Sequence, residues 1–129
     1  MDTSYIINEL AEDREHYFNA IAPPIVQTSN FKFETVADLR KAFEDEMGGY
    51  VYSRGLNPTV DILRKKLAAL DSAEDCLVFN NGAAAIYAAV LSNVKSGDHI
   101  ISVNKPYSWA QKTFDLILTR FGITTTYIE

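Results

Sequence analysis

The sequence predicts an α/β fold with a parallel sheet, because helix and strand patterns alternate from residue 57 to the last residue. A helix with a clear start at Asn57-Pro58 comes first, and apolar strand patterns then alternate with helix patterns. Strands joined by helices pair in parallel through right-handed crossovers, so these elements are expected to share one small sheet. Residues 1–57 lack this alternation, and Pro23-Pro24 within them indicates an extended arm flanked by short helices.

The first 57 residues predict a short helix, an arm and a second helix. The short helix is expected from Ile6 to Tyr17, and the extended arm is expected from Ala22 to Glu34. Thr35 with Asp38 three residues later is close to a capping box, which indicates the start of the second helix. Gly48-Gly49 is expected to end that helix because glycine disfavours helical continuation.

The helix that follows Asn57 is expected to be amphipathic. Its apolar side is formed by four residues at helical spacing, Val60, Leu63, Leu67 and Leu70. Its outer side carries a short basic run, Arg64, Lys65 and Lys66. This run is interpreted as a solvated face rather than as a binding patch.

The remaining residues predict three strands and two helices in alternation. Cys76 to Phe79, Ile100 to Val103 and Thr124 to Ile128 are short apolar or β-branched runs that are typical of strands. Ala83 to Val94 is alanine-rich and apolar almost all round, which predicts a helix buried on most sides. Tyr107 to Phe121 predicts a further helix. The inward residues of that helix are expected to be Phe114, Ile117, Leu118 and Phe121.

The composition argues against several classes of function. A chain of 129 residues, of which 47% are apolar, is expected to form one small folded domain. The net charge of −5 and the lack of a long basic block argue against a nucleic-acid partner. No apolar run approaches the roughly 20 residues of a membrane-spanning helix, and the first residues do not resemble a secretory signal. The single cysteine, Cys76, indicates a cytoplasmic setting, and His16 and His99 lack a second ligand at metal spacing.

Two segments have the chemistry of an anion site. Residues 50–59 read Tyr-Val-Tyr-Ser-Arg-Gly-Leu-Asn-Pro-Thr, in which Arg54 offers a planar charged fork and Tyr52 offers a neutral hydroxyl. Asn81-Gly82-Ala83 lies between a strand pattern and a helix pattern, where free N–H groups and the helix dipole favour a phosphate. The alternatives are a surface turn in which Arg54 pairs with a carboxylate, and a glycine that only makes a tight turn.

Together these segments resemble the N-terminal part of the pyridoxal-phosphate enzymes of cysteine and methionine metabolism. That family includes cystathionine γ-synthase, the cystathionine β- and γ-lyases, methionine γ-lyase and the homoserine-ester sulfhydrylases. The resemblance runs from about residue 20 to the last residue, and its most specific motif is Tyr-x-Tyr-Ser-Arg-x-x-Asn-Pro-Thr. Other matching segments are Pro23-Pro24-Ile25, Thr28-Ser29, Leu67-Ala68-Ala69-Leu70, Ala73-Glu74, Leu77-Val78-Phe79, Gly82, Gly97-Asp98-His99-Ile100-Ile101, Tyr107 and Phe121-Gly122-Ile123.

The resemblance implies a partial fold-type I pyridoxal-phosphate transferase, similar to the large domain of aspartate aminotransferase. Residues 1–57 would be the N-terminal arm and short helices that contact a neighbouring subunit. Residues 58–129 would be the first, incomplete part of the cofactor-binding α/β domain. The implied cofactor is pyridoxal 5′-phosphate. The implied assembly is a homo-oligomer, a dimer or a tetramer, whose active site is shared between chains and binds an amino-acid substrate.

The resemblance also gives each candidate residue a role. Tyr52 and Arg54 correspond to the pair that reaches the cofactor phosphate of the neighbouring subunit. Asn81-Gly82-Ala83 stands where the family holds the phosphate, usually through Ser-Gly-Met. Tyr107 corresponds to the aromatic residue that stacks on the pyridine ring and, in the lyases, takes part in proton transfer. The family sequence there is Tyr-Gly-Gly, whereas this chain has Ser108-Trp109 after the tyrosine.

No lysine of the chain matches the Schiff-base lysine of the family. In the family, that lysine, the acid on the pyridine nitrogen and the cation on the substrate carboxylate all lie downstream. The chain is therefore interpreted as a truncated portion of a longer enzyme that catalyses β- or γ-elimination or replacement on cysteine, cystathionine, methionine or homoserine esters. One alternative is a non-catalytic split or decayed protein that binds or dimerises. Another is a nucleotide-binding α/β domain, which is disfavoured because G-x-G-x-x-G is missing.

Overall fold

Residues 1–45 and 47–129 are described by the computed structural model, and they divide into two units, Met1–Val78 and Phe79–Glu129. The helix after Asn57 belongs to the first of these units. The sequence predicted a boundary at residue 57, between an arm that contacts a neighbouring subunit and the cofactor-binding domain. That boundary stays a prediction. The second predicted helix includes Glu46, which lies outside the described residues.

The first unit contains short helices joined by extended segments. Its elements are α1 (Thr3–Asn8), a 3₁₀ turn (Arg14–Tyr17), α2 (Val36–Ala42) and α3 (Pro58–Leu70). The prediction of one helix from Ile6 to Tyr17 is wrong, because Ala11 adopts a left-handed conformation with φ 64° that interrupts the helix. Residues 22–34, which were predicted to be an extended arm, form neither a helix nor a regular strand, and Asn30 makes an isolated antiparallel bridge to Tyr52.

The helix starts that capping residues predict are confirmed. Thr35 caps α2 and Asn57 caps α3, each through a side-chain oxygen that accepts a backbone N–H. Helix α2 ends at Ala42, earlier than the predicted end at the glycine pair. Gly48 instead donates its N–H to the Asp45 carboxylate at 3.0 Å, in a local turn after the helix.

The two faces of α3 differ from the prediction, except at Lys65, whose side chain is 50% exposed as expected. The side chains of Arg64 and Lys66, expected to be solvated, are 12% and 16% exposed. The residues of the expected apolar side are between 39% and 47% exposed. Lys66 pairs with Glu12 and donates to the Ile7 carbonyl at 2.6 Å, so N-terminal residues cover the basic side. Helical spacing shows which residues share a face, but it does not show which face meets a neighbour.

The second unit contains both strands of the structure as described. Its elements are α4 (Gly82–Leu91), β1 (His99–Val103), α5 (Ser108–Lys112), a π-helical turn (Thr113–Ile117), a 3₁₀ turn (Leu118–Phe121) and β2 (Thr124–Ile128). Strands β1 and β2 pair in parallel, with His99 opposite Thr124 and Val103 opposite Ile128. The strands predicted at these two positions, and their parallel pairing, are therefore confirmed.

The strand predicted from Cys76 to Phe79 does not form within the described chain, and that prediction is wrong here. None of residues 76–80 makes a backbone–backbone hydrogen bond to another described residue, and Leu77 is exposed. A strand is stabilised by pairing with a neighbour, so an apolar run without one stays unpaired.

The core of the second unit lies among α4, α5 and the two strands. Its buried members are Ala110, Phe114, Leu118 and Ile123, against which Ile86, Tyr87, Val90, Val94, Ile100 and Tyr127 pack. Helix α4 is only partly buried, so the prediction that most of its sides are buried is wrong. Phe114 and Leu118 point inward as predicted, whereas Ile117 and Phe121 are exposed. Ile117 lies within the π-helical turn and Phe121 lies within the 3₁₀ turn that follows, and neither turn keeps the 3.6-residue spacing that the prediction assumed.

Candidate functional site

The first candidate segment is the clamp turn, residues 50–56, which precedes α3 in the chain and pairs with the arm. Ser53 donates its N–H to the Ser29 carbonyl at 2.9 Å, so the turn is paired with the arm in antiparallel fashion. The Tyr52 carbonyl accepts the N–H groups of the residues that close the turn. The side chains of Tyr52 and Arg54 therefore start from a backbone that is fixed on both sides.

Tyr52 and Arg54 are in direct contact. The guanidinium carbon of Arg54 lies 4.7 Å from the centre of the Tyr52 ring, which is a cation–π arrangement, and both residues are exposed. Among residues 1–45 and 47–129, no carboxylate forms an ion pair with Arg54, so the alternative of a paired surface arginine gains no support there. The two residues also line a cleft of about 300 Å³, whose other walls are Asn30, Phe31, Phe33, Leu39, Phe43 and Val51.

A buried carboxylate supports the clamp turn from α3. Asp61 accepts the Tyr50 hydroxyl at 3.1 Å and pairs with Arg64 and Lys65 at 2.8 and 2.7 Å. Burial raises the pKa of Asp61, but hydrogen bonds from Lys65 and Arg64 outweigh it and lower the pKa overall. Burial and the charge of Asp61 raise the pKa of Tyr50, so its hydroxyl stays a donor. The sequence analysis did not single out Asp61, although its spacing from both cations is that of pairs on one helix face.

The second candidate segment is the start of α4. Asn81 caps the helix through Oδ1, which accepts the Ala84 N–H at 2.8 Å, and its Nδ2 donates to Asn80 Oδ1 at 2.9 Å. The N–H groups of Gly82 and Ala83 have no acceptor in the part of the chain that the structure describes. A Cβ placed on Gly82 would meet no atom within 4 Å, so the space beside this residue is open. These residues therefore fit a phosphate ester, which binds the unpaired N–H groups of a helix start.

The third candidate, Tyr107, lies between β1 and α5. Its side chain is exposed and makes no capping hydrogen bond. Lys105, two residues earlier, has φ 59°, a left-handed conformation that costs a non-glycine residue about 1–2 kcal/mol. Ser108-Trp109 stands where the family has Gly-Gly after the tyrosine. The ammonium of Lys112 lies 4.4 Å from the centre of the Trp109 ring, which is a cation–π arrangement. The loop before α5 thus combines backbone strain with exposed aromatic rings, a combination that occurs at binding sites.

The predicted site residues fall into two groups. Tyr52 and Arg54 form one contact in the first unit, and Asn81-Gly82-Ala83 forms one helix start in the second unit, which also holds Tyr107. Their roles toward a cofactor stay predictions. Within the described ranges, no group of three or more His, Cys, Asp or Glu side chains could hold a metal ion. No helix there has the length and apolar character that a membrane span requires.

Residues 2–129 match the family described as Cys/Met metabolism PLP-dependent enzyme. The L-methionine gamma-lyase of Treponema denticola is 34% identical over 112 residues, which cover 87% of this chain and 28% of that protein. The O-succinylhomoserine sulfhydrylase of Pseudomonas aeruginosa is 39% identical over 100 residues, which cover 78% of this chain and 25% of that protein.

A solved structure extends these matches to three dimensions. The crystal structure of an O-acetylhomoserine (thiol)-lyase from Campylobacter jejuni matches the whole chain with a TM-score of 0.89 and 26% identity. That crystal structure contains N′-pyridoxyl-lysine-5′-monophosphate. The present chain covers 32% of the length of the C. jejuni protein chain. The chain thus spans 28%, 25% and 32% of the lengths of these three proteins.

Proposed function

Because the chain belongs to the Cys/Met metabolism PLP-dependent enzyme family, we propose that its residues supply the phosphate-binding part of a pyridoxal 5′-phosphate site. The resemblance and the partial fold-type I architecture that the sequence predicts are confirmed by the same matches. When bound, the cofactor supplies an electron sink for reactions at the carbon atoms of an amino acid. One observation carries the proposal: the described chain holds both a guanidinium without a carboxylate partner and a helix start with free N–H groups.

The start of α4 is the proposed main-chain cradle. The N–H groups of Gly82 and Ala83 would donate to phosphate oxygens, and the helix dipole would favour the negative charge. Asn81 replaces a serine of the family motif, so an amide stands in the place of a hydroxyl. Its Oδ1 already caps the helix, and that support for the cradle does not depend on a bound anion.

Tyr52 and Arg54 are proposed to hold the same phosphate from a neighbouring chain, which makes the active site a property of a homo-oligomer. A guanidinium fork and a phenol suit a phosphate ester, because both donate hydrogen bonds and the fork also carries charge. Residues 1–57 are proposed to contact the neighbour. Support comes from three large apolar side chains of this segment that are exposed, Phe18, Ile21 and Ile25.

The complete enzyme is proposed to catalyse β- or γ-elimination or replacement on a sulfur amino acid or a homoserine ester. The names of the relatives support this range of reactions but do not select one. Tyr107 is proposed to stack on the pyridine ring, since its exposed ring is available for such a contact. The free cysteine, Cys76, supports a reducing, cytoplasmic setting.

Replacing Arg54 by alanine tests the proposal. In the complete enzyme that contains these residues, Arg54→Ala is expected to raise the Kd for pyridoxal 5′-phosphate by about tenfold to a hundredfold. The reason is the loss of a charge-assisted hydrogen bond, which contributes about 1.5–3 kcal/mol. Titration of the cofactor, followed by its absorbance, measures the change.

Arg40→Ala is the matched control for this titration, because Arg40 is an exposed arginine of α2 and its loss changes the net charge equally. It should leave the Kd unchanged. Arg54→Lys should fall between the unchanged enzyme and Arg54→Ala, since it keeps the charge but loses the fork. An unaltered Kd in Arg54→Ala would refute the assignment of the clamp turn to the phosphate.

Borohydride reduction tests whether these 129 residues contain the covalent cofactor site. We expect the isolated chain to bind pyridoxal 5′-phosphate weakly, because the proposed cradle offers hydrogen bonds without the family lysine. After reduction, peptide mass spectrometry should find no lysine labelled stoichiometrically. Stoichiometric labelling of one lysine, such as Lys105 beside Tyr107, would show that the chain carries its own covalent site.

A further inference from the structure

We propose that Asn57 and Ser53 form a clasp that positions Tyr52 and Arg54, an inference that rests on the proposed function of that pair. The clasp is the set of hydrogen bonds that the Asn57 and Ser53 side chains make with the arm and with each other. Neither residue is one of the proposed phosphate ligands. Their contribution is to hold the clamp turn in one position.

The Asn57 amide joins three segments of the chain. Its Nδ2 donates to the Val26 carbonyl at 3.0 Å and to the Ser53 hydroxyl at 2.9 Å. Its Oδ1 accepts the Thr59 N–H at 2.9 Å, which caps α3. Asn57 is 9% exposed, so water would replace lost partners poorly. One buried amide therefore fixes the arm, the clamp turn and the start of α3 together.

Ser53 transmits this fixation to the two proposed ligands, because it lies between them in the sequence. Its hydroxyl donates to the Thr28 carbonyl at 2.5 Å, and its N–H donates to the Ser29 carbonyl at 2.9 Å. A displacement of Ser53 from the arm would move Tyr52 and Arg54 with it. The stacked geometry of the pair, 4.7 Å from guanidinium carbon to ring centre, then depends on the clasp.

Helix capping alone does not account for asparagine at position 57. Aspartate, serine and threonine also offer a side-chain oxygen to the first N–H groups of a helix, and they cap about as well. What these residues lack is an amide donor beside that oxygen. Both hydrogen bonds from the clasp amide to its neighbours come from this donor.

Two further hydrogen bonds, which do not involve Asn57 or Ser53, hold the arm on α3. Thr59 Oγ1 accepts the Val26 N–H at 2.9 Å and donates to the Pro24 carbonyl at 3.3 Å. Asn57→Asp keeps the capping oxygen of α3 and leaves these bonds in place. We therefore expect this variant to fold with its arm attached and its clamp turn loosened.

The test compares Asn57→Asp, Ser53→Ala and the double variant in the isotopically labelled 129-residue chain. Each single variant removes two side-chain hydrogen bonds of the clasp. Because one buried hydrogen bond already contributes about a factor of ten, hydrogen exchange of the residue 53 N–H is expected to speed up by at least about tenfold. The Arg54 Nε–H signal should move toward its free-arginine position, because the ring-current effect of Tyr52 is averaged out. The double variant should exchange no faster than the faster single variant, since both substitutions break one clasp.

Two controls separate a clasp from a general structural role. Asn8→Asp, the same change at an exposed site of α1, should alter neither signal. The Asp61 N–H, which donates to the Asn57 carbonyl at 2.8 Å, should keep its protection in Asn57→Asp because the cap survives. Unchanged exchange at residue 53, multiplying effects in the double variant, or equal loss of protection at Asp61 would each overturn the clasp.

Cofactor titration of the complete enzyme separates the clasp from the proposed function. If Arg54→Ala and Asn57→Asp both raise the Kd for pyridoxal 5′-phosphate, the second by about tenfold, both proposals stand. If only Arg54→Ala raises it, the positioning role of the clasp is wrong. If Arg54→Ala has no effect, the proposed function fails, and the exchange measurements alone decide whether the clasp holds the turn.

Discussion

Replacing Asp61 by alanine is expected to lower the free energy of unfolding of the 129-residue chain by about 3 kcal/mol. The carboxylate is 4% exposed and pairs with Arg64 and Lys65 at 2.8 and 2.7 Å. Its removal leaves two cations close together without their shared anion, and it deprives the Tyr50 hydroxyl of its acceptor. Urea denaturation followed by circular dichroism measures the loss.

Asp75 provides the matched control for this substitution. It also pairs with Arg64, at 2.7 Å, but its side chain is 55% exposed. Asp75→Ala should therefore lower the free energy of unfolding by less than about 1 kcal/mol. Equal losses from the two substitutions would contradict the view that Asp61 is the buried centre of these ion pairs.

The loss caused by removing Asp61 is also expected to depend on pH. Because the folded-state pKa of Asp61 lies below its ordinary value of 3.8, its charge stabilises the fold fully above that value. The stabilisation disappears as the pH falls through the lower, folded-state pKa. The difference in unfolding free energy between the unchanged chain and Asp61→Asn should be constant near neutral pH and shrink in acid. If this difference grew in acid, the pKa of Asp61 would have to be raised on folding, and the prediction would be wrong.

Leu118→Ala is the second substitution with a large expected effect, again about 3 kcal/mol of unfolding free energy. Leu118 is 0% exposed and packs with Phe114 and Ile123, so truncation leaves a cavity in the core of the second unit. The fluorescence of the single tryptophan, Trp109 in α5, reports the unfolding of this unit.

Leu116→Ala is the control for the cavity, since Leu116 lies two residues earlier and is 64% exposed. This substitution should change the free energy of unfolding by no more than about 0.5 kcal/mol. If both alanine variants unfold at the same urea concentration, the inward direction of Leu118 would be wrong.

Local signals predicted the starts of α2 and α3 and the two paired strands. Thr35 and Asn57 each cap a helix through a side-chain oxygen, and this chemistry depends only on neighbouring residues. Strands β1 and β2 have partners within the chain, so their apolar and β-branched runs form the expected pairs. These elements could be predicted because their determinants lie within a few residues or within one unit.

Predictions that required knowledge of a partner surface were less accurate. Spacing identified the apolar side of α3, but ion pairs to the N-terminal residues determined which side is covered. The run from Cys76 to Phe79 has strand composition, yet its backbone finds no partner in the described chain. The π-helical turn at Thr113–Ile117 and the 3₁₀ turn after it depart from α-helical spacing, and no periodic pattern indicates such turns.

The ligand types of the candidate site stay predictions, whereas the contacts that support these residues were not predicted from the sequence. The guanidinium, phenol and helix start follow from residue chemistry and from the family resemblance. Asp61 and the amide donor of Asn57 act through contacts with residues distant in sequence, including Val26. The spacing of Asp61 from Arg64 and Lys65 along α3 predicts its ion pairs. No sequence pattern indicates the hydrogen bond from Asn57 to the arm.

The cap at Asn81 has a consequence for how readily an anion could be accepted. Oδ1 of this residue accepts the Ala84 N–H and so closes the first turn of α4 with a hydrogen bond that the chain itself supplies. The conformational entropy of that turn is therefore lost when the chain folds, and not when an anion binds. A phosphate arriving at such a preorganised end meets N–H groups already aligned, and its binding free energy is not reduced by refolding of the helix.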